Sequence, residues 1–146
     1  MNKKIKLEII TPEKTIYSDL ISQITLPTTE GEITVLPNHI PLISSFLAGE
    51  IKIVIDEKEQ FLAASGGLIQ VNFNEIKILT DTAEWAEEID EKRAEQAKQR
   101  AQKMLEDVKN KETVDYTALA AKLEKELSRL RVVRRHKRQN QLNIEK

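Results

Sequence analysis

Residues Trp85–Ala101 read WAEEIDEKRAEQAKQRA, and the chain changes character across them. All four Gly (31, 49, 66, 67) and all four Pro (12, 27, 37, 41) lie before residue 68. The 45 residues from Gln102 to Lys146 contain neither. Gly and Pro punctuate turns, so a turn-rich first part gives way to a second part that has no turn signals. The expected division is a β-domain over 1–85 and a two-helix arm with a basic tail over 86–146. The same stretch holds Ile89-Asp90-x-x-Arg93-Ala94, an acid and a base three residues apart. That pair starts a helix, or it holds a ligand as well.

Charge follows the same division. Residues 1–84 carry 7 Lys/Arg against 12 Asp/Glu, and residues 85–146 carry 16 against 12. The net charge of the whole is only -1, so the molecule is not built to coat nucleic acid. Two parts of opposite sign suggest two sets of neighbours. There is no cysteine, which excludes disulfides, thiolate metal sites and a Cys nucleophile. No apolar run approaches the roughly 20 residues of a spanning helix. The start, MNKKIKLEII, lacks the apolar core of a signal peptide and reads as an early strand.

Working back from Trp85, seven runs alternate as strands do. They centre on Ile5/Leu7/Ile9, Ile24/Leu26, Ile33/Val35, Ile51/Ile53/Ile55, Phe61/Ala63, Ile69/Val71 and Ile76/Ile78. Turns are expected at Thr11–Lys14, Asp56–Glu59, Gly66-Gly67 and Asn72–Asn74. This spacing indicates an all-β sandwich or barrel. Working forward, Ala86, Ala94, Ala97, Ala101, Met104, Leu105 and Val108 form a narrow, alanine-rich helical seam. Lys109–Thr113 breaks it, Thr113 or Asp115 can cap a second helix, and Tyr116, Leu119/Ala120, Leu123, Leu127 and Leu130 continue the stripe. Two such helices make an antiparallel hairpin. Both stripes are narrow, so the hairpin should need the β-domain or another protein to lie on.

Few residues suggest chemistry. His39, between Pro37 and Pro41, reads as a loop histidine serving packing or an interface. Ser65-Gly66-Gly67 lacks both the Gly-x-Ser-x-Gly and the Gly-Lys-Ser/Thr contexts and reads as a tight bend. No paired metal-ligand spacing occurs, so an independent enzyme is disfavoured. The basic run Arg131–Arg138 reads as a solvated, frayed helix end, with an acidic protein partner as the second reading. Asp90 can cap the first helix, and Glu88 and Lys92 make an i,i+4 pair. Arg93 and Arg100 lie seven apart, Lys125 and Arg129 four apart, so a folded hairpin could gather these cations around one site. Such a cluster would repel itself and welcome a multiply charged anion. The rival to any assembled role is a free-standing module with a basic helical arm for nucleic acid or an acidic protein.

Four motifs in order resemble the epsilon subunit of the bacterial F-type ATP synthase. They are Gly31-Glu32-Ile33-x-Val35-Leu36-Pro37-Asn38-His39-x-Pro41-Leu42, Ser65-Gly66-Gly67-x-Ile69-x-Val71, Leu79-x-Asp81-Thr82-Ala83-Glu84 and Glu88-Ile89-Asp90. The likeness runs from about Ile5 to Val133. Asn38 and Thr34 stand where glycine is common, and Trp85 where arginine is frequent; Asn tolerates the left-handed conformation well. The tail after Val133 is longer and more basic than the family pattern.

The resemblance implies a flattened β-sandwich of about ten strands followed by the two-helix hairpin. It implies a non-catalytic rotor subunit of a proton- or sodium-translocating synthase, peripheral on the cytoplasmic face of the bacterial plasma membrane. The sandwich would bind the gamma subunit and the c-ring, the latter near Glu30, Gly31, Glu32 and His39. The hairpin would lie folded, or rise along gamma to the beta subunit and block ATP hydrolysis. No cofactor is required, no nucleic acid is bound, and nothing inserts in the membrane. ATP is the implied regulatory ligand of the folded hairpin, met by Glu84, Asp90, Arg93, Arg100, Lys125 and Arg129. Lys125 stands where a second arginine is usual, and lysine cannot form a bidentate fork.

Overall fold

Alternating side chains need two apolar faces to meet, and the computed structural model, which describes residues 3–108 and 115–144, shows how they do. Among the described residues the strands are β1 (Ile5–Ile10), β2 (Thr15–Ile21), β3 (Gln23–Thr28), β4 (Gly31–Val35), β5 (Leu42–Phe46), β6 (Gly49–Ile55), β7 (Lys58–Ala64), β8 (Gly67–Val71), β9 (Glu75–Thr80) and β10 (Ala83–Trp85). The helices α1 (Glu91–Val108) and α2 (Tyr116–Ile144) follow. The first sheet has the order β2-β1-β9-β8-β5 and the second β10-β7-β6-β3-β4. All pairs are antiparallel except β1 with β9. Between the sheets lies a dry core that includes Ile5, Leu7, Ile9, Ile24, Leu26, Ile51, Ile53, Leu62, Ile69, Ile76 and Ile78. Most of these are residues that the alternation singles out.

The sandwich with its ten strands and the two helices match the expected fold class. The pattern alone marks seven strands and misses β2, β5 and β10. All three are sheet edges; the fourth edge, β4, is marked by Ile33/Val35. An edge strand has only one neighbour and a less fully buried face, so its sequence is free to lose the period of two. In β2 the run TIYSDLI places Ile16 beside Tyr17 and Leu20 beside Ile21.

Turn chemistry sets the register. Asp56 and Glu57 alone join β6 to β7, with φ of 47° and 68°. Two positive φ values define the turn that suits the twist of a hairpin, here formed without glycine. The expected turn was two residues longer; Lys58 and Glu59 pair in β7 instead. Gly67 is a packing requirement, because a Cβ there would stand 2.0 Å from the Leu79 carbonyl oxygen. Asn38 adopts φ 64°, the left-handed conformation that it tolerates.

The entry to the helical part differs from the expected seam. Ala86–Glu88 form one turn of 3-10 helix, Ile89 is extended, and α1 begins only at Glu91. Asp90 caps it: its Oδ1 accepts from the Arg93 amide at 3.2 Å. Glu88 therefore lies outside α1, and its expected pair with Lys92 is not among the ion pairs of the described residues. Asp115 caps α2 by accepting from the Ala118 amide at 3.1 Å. The expected break at Lys109–Thr113 lies outside the described residues. No helix of the described residues is long and apolar enough to cross a membrane.

Candidate functional site

Strand β7 has four consecutive buried residues, Phe61 to Ala64. Leu62 and Ala64 point into the sandwich, while Phe61 and Ala63 point outward and are covered by the hairpin. The covering cluster is Phe61, Ala63, Ala86, Ile89, Ala94, Leu130, Val132 and Val133. Ala94 is fully buried, so the alanine of the α1 seam lets the layers approach closely. Met104 and Tyr116, expected on the seams, are about half exposed at the far end of the hairpin. The hairpin is thus held at its sandwich end and by little apolar contact elsewhere.

Register aligns Glu84 of β10, Ala63 of β7 and Glu50 of β6 in one row across the second sheet. The hairpin answers both carboxylates of this row. Arg129 grips Glu84 with two bonds, Nε to Oε2 at 2.8 Å and NH2 to Oε1 at 3.2 Å. Its NH1 donates to Glu126 at 2.8 Å, and the Glu126 side chain is only 8% exposed. Burial opposes the Arg129 charge, but the bonds from Glu84 and Glu126 outweigh it and push the group further up. Arg135 reaches Glu50 at 2.8 Å.

Of the six residues implied for a nucleotide, four form two separate pairs and two stand apart. Glu84 and Arg129 form a partly buried fork. Asp90 and Arg93 form an exposed i,i+3 pair at 3.6 Å, with the Arg93 side chain 84% exposed. Arg100 donates from Nε to the Gln96 carbonyl of its own helix. Lys125 is partly buried on α2, one turn before Arg129. The expected self-repelling cationic cluster is not what the fold builds. Arg129 sits between two carboxylates and Arg93 beside one, so their charge is already answered.

The basic run is corrected as well. Helix α2 continues to Ile144, and the run is not a frayed, solvated end. Val132 and Val133 are buried. Arg134 bonds Glu91 at 3.2 Å and Glu95 at 3.0 Å, and Lys137 also bonds Glu91. The acidic partner given as the second reading of this run is here the chain itself.

The four residues expected near a c-ring divide between two loops. Glu30 in the β3–β4 turn, and Gly31 and Glu32 at the start of β4, are exposed. His39 lies beyond the other end of β4, about 13 Å of strand away at 3.3 Å per residue. Its Nδ1 donates to the Ile40 carbonyl at 2.7 Å. Elsewhere the outer face of the first sheet presents apolar side chains. Leu68 and Leu79 are direct cross-strand neighbours and both half exposed, and Ile43 on the adjoining strand is 74% exposed.

Two adjoining family models match nearly the whole chain. The first, described as the ATP synthase delta/epsilon chain beta-sandwich domain, matches residues 4–86. The second, the long alpha-helix domain of the same chain, matches residues 87–134. The chain belongs to the ATP synthase delta/epsilon chain family. Like the epsilon chain of that enzyme, it is a non-catalytic subunit of the complex. It is 39% identical over 132 residues to the ATP synthase epsilon chain of Nitratidesulfovibrio vulgaris, covering 90% of this chain and 97% of that one. It is 41% identical over 133 residues to that of Chloroflexus aggregans, covering 91% and 94%. To the one from Clostridium novyi it is 40% identical, covering 91% and 100%.

Solved structures share the fold at lower identity. A chain of the Euglena gracilis mitochondrial ATP synthase OSCP/F1/c-ring structure aligns with a TM-score of 0.70 at 24% identity, over 83% of this chain and 76% of that chain. A chain of the Tetrahymena thermophila mitochondrial ATP synthase central stalk/c-ring aligns at 0.53 and 18%, over 92% and 97%. Within the delta/epsilon family the match stops at residue 134. The carboxylates Glu50, Glu91, Glu95 and Glu126 escape the sequence reading. Only Glu126 carries a local signal, its i,i+3 spacing from Arg129. The others meet their cations 39 to 85 residues away in the chain.

Proposed function

We propose that this chain is a central-stalk rotor subunit of a proton- or sodium-translocating F-type ATP synthase, on the cytoplasmic face of a bacterial plasma membrane. In this reading it links gamma to the c-ring, and its hairpin restrains ATP hydrolysis when it leaves the sandwich and reaches the beta subunit. The observation that carries the reading is the asymmetry of the two outer faces. The second sheet is covered by a hairpin held through one small apolar cluster and ion pairs. The first sheet leaves Leu68 and Leu79 exposed side by side, with exposed Ile43 diagonal to Leu68 on the next strand. An exposed apolar patch of this kind marks an interface, and we assign it to gamma. The acidic β3–β4 turn at Glu30–Glu32 is the c-ring contact, with His39 at the opposite end facing gamma.

ATP is the proposed regulatory ligand of the folded hairpin, on Asp90, Arg93, Arg100 and Lys125 together with Glu84 and Arg129. A nucleotide there has to share Arg129 with Glu84 and Glu126. Ligand that binds only the folded form shifts the balance toward it by RT ln(1 + [L]/Kd), roughly 2.7 kcal/mol at a hundredfold excess over Kd. The test is deletion of residues from Ile89 onward. All strands of the described residues lie before that point, so the truncated subunit should still join the enzyme. Hydrolysis by the assembled enzyme at low ATP should rise. Unchanged hydrolysis would reject the hairpin as an inhibitor.

A further inference from the structure

We propose that Arg134, Arg135 and Lys137 form an ionic clasp that closes α2 against α1 and ties the closed hairpin to the sandwich without any ligand; the regulatory meaning of the clasp rests on the up-and-down reading above. Apolar packing between α2 and the sandwich ends at Val133. Beyond it the helix is held by charge. Arg134 and Lys137 are three apart and so share one side of α2. Both reach Glu91 in the first turn of α1, and Arg134 also reaches Glu95 one turn on. Arg135 points to the other side and meets Glu50 of β6. Within one helical turn, three cations tie α2 to α1 and to the second sheet at once.

The acidic half of the clasp needs these cations. Burial disfavours the charge of Glu50, and Glu32 and Glu59 add negative potential around it; Arg135, with Lys52, opposes them. Glu91 is held ionised by its bonds from Lys137 and Arg134. Two of its three cations, Arg135 and Lys137, lie past residue 134, where the family model stops. Exposed ion pairs are individually weak and are screened by salt. Acting together at the α1–α2 contact and at the α2–sandwich contact, the three should change the open population about tenfold, and most of that should vanish as salt rises to about 1 M.

The test uses the full chain with Ala63→Cys, in nucleotide-free buffer. Ala63 is buried beneath the hairpin, and the chain has no other cysteine, so thiol labelling reports opening. The expected result is slow labelling at low salt and several-fold faster labelling at high salt. The triple substitution Arg134→Gln, Arg135→Gln, Lys137→Gln should label about tenfold faster at low salt and show little response to salt. A chain ending at Val133, which keeps the apolar anchor, should behave as the triple variant does. Equal labelling of parent and triple variant at low salt would overturn the clasp. So would a parent rate that ignores salt, because the tail would then hold through packing. Amide exchange of residues 116–133 in the same proteins without the cysteine repeats the comparison should the added thiol disturb packing. Labelling reads closure in the isolated chain, so failure of the clasp and failure of the inhibitory reading give different results.

Discussion

The sandwich and the hairpin are built on opposite principles. The sandwich buries a continuous core of branched aliphatic side chains, several of them wholly inaccessible. The hairpin meets the sandwich through eight buried residues, three of them alanine, surrounded by ion pairs. Burying a full aliphatic side chain contributes about 1.5–3 kcal/mol, whereas an exposed ion pair contributes about 0–1 kcal/mol. The first region should therefore fold as one permanent unit. The second should open at a cost that salt or protons can lower and a ligand of the folded form can raise. A part that must detach is well served by contacts whose strength depends on conditions.

The largest test of this contrast strikes the core. Leu7→Ala should destabilise the sandwich by about 2–5 kcal/mol, and the hairpin should lose its docking face in the same transition. Denaturant unfolding followed by strand and helix signals should show the two lost together. Separate transitions would mean that the hairpin is stable alone.

Next in size is Arg129→Ala. It leaves Glu84 and the buried Glu126 without their cation, which should cost the closed hairpin about 2–3 kcal/mol after allowance for partial exposure. Amide exchange should accelerate in α2 and stay unchanged in β1 and β9. Acceleration in the central strands would show that the two regions are coupled more tightly than their packing indicates.

A smaller effect concerns pH, and the two acids of the clasp respond with opposite sign. Bonds from Lys137 and Arg134 hold Glu91 below its ordinary value of 4.5. Its contribution is complete above pH 4.5 and is lost as the pH falls through the lowered value. Burial raises Glu50 above 4.5 despite Arg135. Its contribution is complete below 4.5 and is lost as the pH rises through the raised value. Acidification should therefore leave the hairpin closed until Glu91 titrates. Glu91→Gln should loosen α2 at neutral pH and remove the part of the opening that sets in below pH 4.5, as amide exchange would show. Unaltered pH dependence in that variant would remove Glu91 from the clasp.

The smallest expected change lies in the β6–β7 turn. Glu57→Gly relieves a left-handed glutamate and should stabilise the sandwich by up to about 1 kcal/mol, visible as a raised melting temperature with hairpin exchange unaltered. A lowered melting temperature would mean that the Glu57 side chain holds the turn more than its backbone strains it.

Much of this architecture is legible in the chain itself. The period of two in Ile5/Leu7/Ile9 or Ile51/Ile53/Ile55 follows from which face is buried, and that is a local property of a central strand. The caps at Asp90 and Asp115 and the bend at Gly66-Gly67 are local as well, because each is satisfied within a few residues or by one close backbone approach. The edge strands β2, β5 and β10 left no alternation, whereas the fourth edge, β4, kept it in Ile33/Val35. Ala63 and Phe61 looked like an ordinary strand face, and only the hairpin above them explains why both sides of β7 are buried. The fate of the cations was decided by tertiary structure alone. Arg129, Arg134 and Arg135 meet Glu84, Glu91, Glu95 and Glu50, all at least 39 residues away. Sequence spacing along a helix tells which charges share a face. It does not tell what that face will lie against, because a salt bridge between layers depends on the register of two elements that fold independently.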